Sequence, residues 1–217
     1  MRVDLYTNPH KEQREWLYHL AIQAGKIDYA DNKSFGELSI KFNQLIAELH
    51  QHVRAEEAFV HPLFLAKDTQ LADPLHADHE SLEQMLNHLE QQMQIIQQEN
   101  HAQKRNTLGL IFYRSFNRFI SHYLEHMDEE ERMLPFLWET YSDEQLMLCI
   151  NSFKASIGID EALETIVTTF PKLENHTQQR LFQGFKQNAS PQRFVQFCTY
   201  LKKVLSEQHL EQLEARI

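Results

Sequence analysis

The chain of 217 residues carries 21 Lys and Arg against 31 Asp and Glu, a formal net charge of −10. That length allows one sizeable core, or one core with a smaller appended unit, and the acidic balance excludes a nucleic-acid surface and any attraction to anionic lipid. Only 5 Gly and 6 Pro beside abundant Leu, Glu and Gln predict an all-α protein, and 13 His against 2 Cys point to nitrogen and oxygen ligation rather than thiolate ligation.

The N-terminus turns polar within a few residues, and no apolar run approaches the ~20 residues of a spanning helix. The expectation is a cytoplasmic protein with reduced Cys149 and Cys198 and no membrane partner. A first helix is predicted from Asn8 to Asp28, with Asn8 as cap and Pro9 in the first helical position. Its inward stripe is His10, Gln13, Leu17, Leu20, Ala24 and Ile27. Ser34 opens a second helix, with Glu37 as its capping-box partner. Its stripe, Leu38, Phe42, Leu45, Leu49, His52, Glu56, Phe59 and Leu63, alternates steps of four and three without a slip, and Pro62 marks its end. A third helix from Asp73 or Pro74 to near Asn100 carries Leu75, His79, Leu82, Leu86, Leu89, Met93 and Ile96. The fourth passes through the stretch 119–138, with Phe112, Phe116, Phe119, Tyr123, Met133 and Leu137 on its seam.

Ionisable residues interrupt these apolar seams. His52 and Glu56, and again His126 and Glu130, stand four apart, so their side chains lie one above the other on a helix face. His10 and His79 sit alone near the starts of their helices. Burying an imidazole or a carboxylate without a partner costs roughly several kcal/mol, and a cation removes that cost. An internal repeat reinforces the reading. HVRAEEAFVHPLF (52–64) parallels HMDEEERMLPFLW (126–138), and each is preceded by a helix with one seam His. Two hairpins related by a pseudo-two-fold axis bring His10, His52, Glu56, His79, His126 and Glu130 into one layer of a bundle. Four imidazoles and two bridging carboxylates suit two first-row ions, iron first, then manganese or zinc. His122, one turn before His126, is a seventh candidate ligand, with Glu83 its rival for the same place. Glu57 and Glu131 lie about 100° further round their helices, facing solvent. His61, His88, His101, His176 and His209 read as surface residues, and His50 and His76 as at best outer partners of the ligands.

The motifs HVRAEE (52–57) and HMDEEE (126–131), with NPHKEQR (8–14) and DHESLEQML (78–86), resemble the hemerythrin-like, or HHE cation-binding, family over about residues 1–140. The resemblance implies an antiparallel up-down four-helix bundle enclosing a non-haem di-iron centre with an oxo or hydroxo bridge. Oxygen-carrying members place a second His where this chain has Glu83, and space the last His and carboxylate by five rather than four. The chain is thus nearer to the sensing, repair and iron-handling branches.

Residues 141–217 are expected to form additional C-terminal helices: one opened by Ser142, a short one from Asp160 to Thr169, and two more near 175–187 and 191–214. None carries a His/Glu pair on a seam, so they read as packing helices, or as a surface for a homodimer or a protein partner. Three functions compete: a module binding dioxygen or nitric oxide or sensing redox or iron state; an enzyme reducing peroxide or nitric oxide, or donating iron to damaged iron–sulfur clusters; and a structural bundle.

Overall fold

The computed structural model describes residues 2–67, 72–156, 170–173 and 175–215, with Leu163 and Val167. The described residues are helical, with turns and no strand. No helix among them is long and apolar enough to cross a membrane. The chain divides into two compact units, Met1–Ile150 and Asn151–Ile217.

The first unit is the antiparallel up-down bundle. Its long helices are α1 (Thr7–Ala24), α2 (Asn32–Ala55), α4 (Asp73–Gln98) and α5 (Ala102–Arg132). α1 packs on α2 and α5, and α4 packs on α5 and α2, so the four close into a ring. A π-helical turn, Glu56–Val60, joins α2 to a short α3 (His61–Leu65). α5 stops at Arg132, and α6 (Leu134–Thr140) restarts with Pro135 in its first turn, where a missing N–H costs no hydrogen bond.

The helix starts differ from expectation by a few residues. Asp4, not Asn8, opens α1: its carboxylate accepts from the Tyr6 and Thr7 amides at 3.0 and 2.9 Å. Asp31, rather than Ser34, caps α2, accepting from the Ser34 amide at 3.0 Å and from its hydroxyl. An ionised carboxylate at a helix N-terminus also meets the positive end of the helix dipole, which a hydroxyl does not.

The larger departure is in the second helix. Its seam slips by one residue after Glu56, so that Val60, His61 and Phe64 are buried where Phe59 and Leu63 were expected. Pro62 has no N–H to give and its ring crowds the carbonyl four residues back. The wider π turn just before it absorbs that conflict, and the helix runs on to Leu65 instead of ending at the proline.

Two apolar clusters fill the first unit. The larger holds Leu17, Leu38, Phe42, Leu49, Leu82, Leu86, Phe112, Phe116, Phe119 and Tyr123. The smaller holds Tyr6, Val60, Phe64, Ala72, Leu75, Leu134, Leu137 and Leu146. Leu146 lies on α7 (Asp143–Ser156), whose start is a reciprocal Ser142–Gln145 capping box. Cys149, also on α7, is a free thiol donating to the Phe59 carbonyl at 3.1 Å.

The second unit has its own core of Phe170, Phe182, Phe197, Leu201, Leu210 and Leu213. These residues come from a 3-10 turn (Phe170–Lys172), α8 (Asn175–Asn188), α9 (Pro191–Leu201) and α10 (Glu207–Ala215). Ser190 caps α9 as its sequence suggests. The helix expected over 191–214 is two helices, because the chain turns at 202–206 and Ser206 accepts from the His209 amide to start α10. His209 is half-buried rather than exposed, paired with Gln178 at 2.9 Å. The helix expected from Asp160 to Thr169 lies outside the described residues, apart from Leu163 and Val167.

Candidate metal centre

The two apolar clusters of the bundle are separated by one polar layer. Along α1 the order is Tyr6, then His10 and Gln13, then Leu17. Along α2 it is Leu49, then His52 and Glu56, then Val60. Along α4, His79 stands between Leu75 and Leu82, and along α5, His126 and Glu130 stand between Tyr123 and Leu134. Each helix thus interrupts its apolar seam at the same height.

The layer contains the six residues read from the seams. His10, Glu56, His79, His126 and Glu130 are buried, and the His52 side chain is 12 % exposed. Each carboxylate divides its two oxygens between two pairs of imidazoles. Glu56 Oε1 lies 2.9 Å from His52 Nε2 and 3.6 Å from His10 Nε2, while its Oε2 is 3.7 Å from His79 Nε2. Glu130 Oε2 lies 3.3 Å from His10 Nε2, while its Oε1 is 3.3 Å from His126 Nε2 and 3.7 Å from His79 Nε2. Two tetrads result, His10–His52–Glu56–Glu130 and Glu56–His79–His126–Glu130, and the ligating atoms within each lie inside 4.8 Å of one another.

Close approach here is not hydrogen bonding. All four oxygens of Glu56 and Glu130, and Nε2 of His10, His52 and His79, are buried without an aligned hydrogen-bond partner. Buried polar atoms in proteins are nearly always satisfied, so such a group asks for an ion or a water among them. The donors are the kind a first-row cation takes.

Beyond this layer stand carboxylates that orient the imidazoles. Glu131 Oε1 meets His10 Nδ1 at 2.9 Å and is itself held by Arg14 at 2.7 Å. Glu57 Oε1 meets His79 Nδ1 at 3.3 Å. Asp78 stands 3.6 Å from His126 Nδ1. Glu57 and Glu131 therefore do not simply face solvent. In each His-x-x-x-Glu-Glu motif the first Glu enters the layer, and the second, 100° round the helix, reaches the neighbouring helix's His. That fixes the ring and its tautomer and leaves Nε2 facing inward. Replacing Glu131 by Ala is expected to weaken cation binding roughly 10- to 100-fold, measured by competition against a chelator.

Electrostatics follow from this packing. Burial opposes a charge on His10, but the pull of Glu130 and Glu56 outweighs it and lifts the imidazole to about 9. Burial likewise opposes ionisation of Glu130, yet His10, His126 and His79 hold it well below the usual carboxylate range. In chelator-stripped protein, the contribution of His10 to stability is complete below its unfolded value near 6.5 and is lost as pH rises through about 9. Denaturant midpoints of stripped protein should therefore fall between pH 6.5 and 9.5, and a His10→Phe variant should show a smaller fall, since His79, lifted against its burial by Glu130, still contributes.

Other residues fall differently from expectation. His122 is exposed and outside both tetrads, because Tyr123, three residues before His126, takes the inward place on α5. Glu83 is exposed too, and pairs with His50 at 3.0 Å. His61, expected at the surface, is fully buried, turned inward by the π turn. Two tyrosines border the layer. Tyr123 donates to Gln13 at 3.0 Å, whereas the buried Tyr6 hydroxyl, on a ring 5.4 Å from that of His10, has no partner among the described residues. A cleft of about 300 Å³ between α2 and α4, lined by Leu49, Val53, Glu57, Leu82, Leu86 and Tyr123, leads to His79.

No curated protein and no solved structure matches the chain. The hemerythrin HHE cation-binding domain matches residues 1–137, the part that builds the bundle and its polar layer. With that match over more than half of its length, the chain belongs to the hemerythrin HHE cation-binding family.

Proposed function

We propose that this protein holds two iron ions in the polar layer and there binds dioxygen or nitric oxide, or reports redox or iron state. His10 and His52 would hold one ion and His79 and His126 the other, with Glu56 and Glu130 shared between the two imidazole pairs. The observation that carries this reading is the division of each carboxylate between the two imidazole pairs. Mixed imidazole and carboxylate donors favour iron, with manganese and zinc as competitors. Iron so held supplies a redox couple and open coordination for a diatomic ligand.

The protein's own residues set the conditions. The apolar clusters above and below exclude water from the layer, which strengthens each charge interaction inside it. The cleft beside His79 gives a small uncharged ligand a way in. The unpartnered Tyr6 hydroxyl can donate a hydrogen bond to a polar ligand in the layer.

The test is iron quantitation on protein purified without chelator, with optical spectra under argon and then air or nitric oxide. Two irons per chain and a new band reversed by removing the gas are expected. Catalytic consumption of peroxide or nitric oxide with a reductant would replace binding by turnover. Protein without stoichiometric metal would reject the reading.

A further inference from the structure

We infer that His61, His76 and Glu57 form an auxiliary cation position beside His79, through which a divalent first-row ion passes between solvent and the polar layer. The inference rests on the two-ion reading above and adds residues to it that neither tetrad contains.

The backbone supplies the first observation. In an unbroken α-helix a residue five places after Glu56 is turned well away from it. The π turn returns His61 to the inner face, so Glu56 and His61 are both buried. The second observation is chemical. His61 is 0 % exposed, and neither Nδ1 nor Nε2 has a hydrogen-bond partner among the described residues. A Phe or Leu would fill that space without leaving two polar atoms unsatisfied.

The third observation is the surroundings. The His61 ring stacks on His79 at 5.1 Å and 14°, and meets His76 edge-on at 4.7 Å and 88°. Ligating atoms of His61, His76 and His79 lie within 4.8 Å of one another. Glu57 Oε1 stands 3.7 Å from His76 Nδ1 and 3.3 Å from His79 Nδ1. Two imidazoles and a carboxylate suit a ferrous, cobaltous or zinc ion. The cluster is also graded in exposure. The side chains of His76 and Glu57 are 42 % and 41 % exposed, His61 is buried, and His79 faces Glu56 and Glu130. An ion captured at His76 and Glu57 stands beside both the buried His61 and His79.

The test is an anaerobic titration of the full chain with cobalt(II), followed optically and by calorimetry, together with the rate of cobalt uptake into the layer. Wild-type protein should take three equivalents. His76→Gln, at a half-exposed position that burial does not constrain, should take two and load them at least tenfold more slowly. His61→Phe should do the same while keeping the ring stack. If His61→Phe fails to fold, His76→Gln alone decides. Two equivalents in wild type, with unchanged uptake in His76→Gln, would overturn the auxiliary position and leave the two-ion layer standing. Three equivalents that His76→Gln does not reduce would place the third ion elsewhere and overturn it too. No bound cobalt would sink both readings.

Discussion

Glu130→Gln is expected to erase the stability difference between metal-loaded and chelator-stripped protein. In the wild type that difference follows from mass action: a ligand that binds only the folded state adds about 2.7 kcal/mol at a hundredfold excess over its dissociation constant and about 4.1 at a thousandfold. Glu130 is the residue to change because it is fully buried and offers one oxygen to each imidazole pair. An amide keeps the volume, so no cavity clouds the result, but it cannot bridge two cations with two anionic oxygens. The stripped variant loses an anion facing His10 and also one repelling Glu56, so its change should be the smaller one. Urea midpoints of loaded and stripped samples read both quantities. A purely structural His–Glu network would instead lose several kcal/mol in both samples equally, and the wild type would show no loaded-minus-stripped gap.

Gly109→Ala should destabilise the bundle by about 2 kcal/mol, although alanine is the better helix former by about 1 kcal/mol. Gly109 lies within α5, where the ring of Tyr29 rests directly on the helix backbone, and an added Cβ would fall inside that ring. Tyr29 has little room to yield. It is buried, its hydroxyl donates to the Ala24 carbonyl at 3.0 Å, and its ring contacts Phe35 and Phe112. Overpacking of this kind costs roughly 1–3 kcal/mol, and displacing the ring adds the loss of its hydrogen bond. Gly36 in α2 is the control. A Cβ there meets nothing within 4 Å, so Gly36→Ala should stabilise by roughly 0.5–1 kcal/mol. Urea unfolding of the two variants beside wild type checks the pair. Equal gains at both positions would mean that helix propensity alone governs and that Tyr29 does not seat on α5.

The departures have physical causes. Periodicity assumes 3.6 residues per turn, and one π turn breaks that assumption, so the stripe through Phe59 and Leu63 gives way to Val60, His61 and Phe64, while the α2 seam before Glu56 follows the spacing. His122 lies a step of four before His126, but a step of three is equally available, and the larger, more apolar Tyr123 takes the buried position. On their own helices Glu57 and Glu131 point away from the seam. Their partners, His79 and His10, belong to other helices and are met only once the bundle closes. The repeated Glu-Glu was the signal that could have revealed them.

By itself the sequence determined the all-α class, the height of the polar layer on each helix and the six residues in it. Those follow from local spacing and from the cost of burying charge on an apolar seam, which need no coordinates. Tertiary structure alone decided which atom of each carboxylate faces which imidazole, which second carboxylates hold the rings, and that His61 turns inward. Such facts depend on distances between residues remote in the chain, and on one helical turn whose width the residue pattern does not encode.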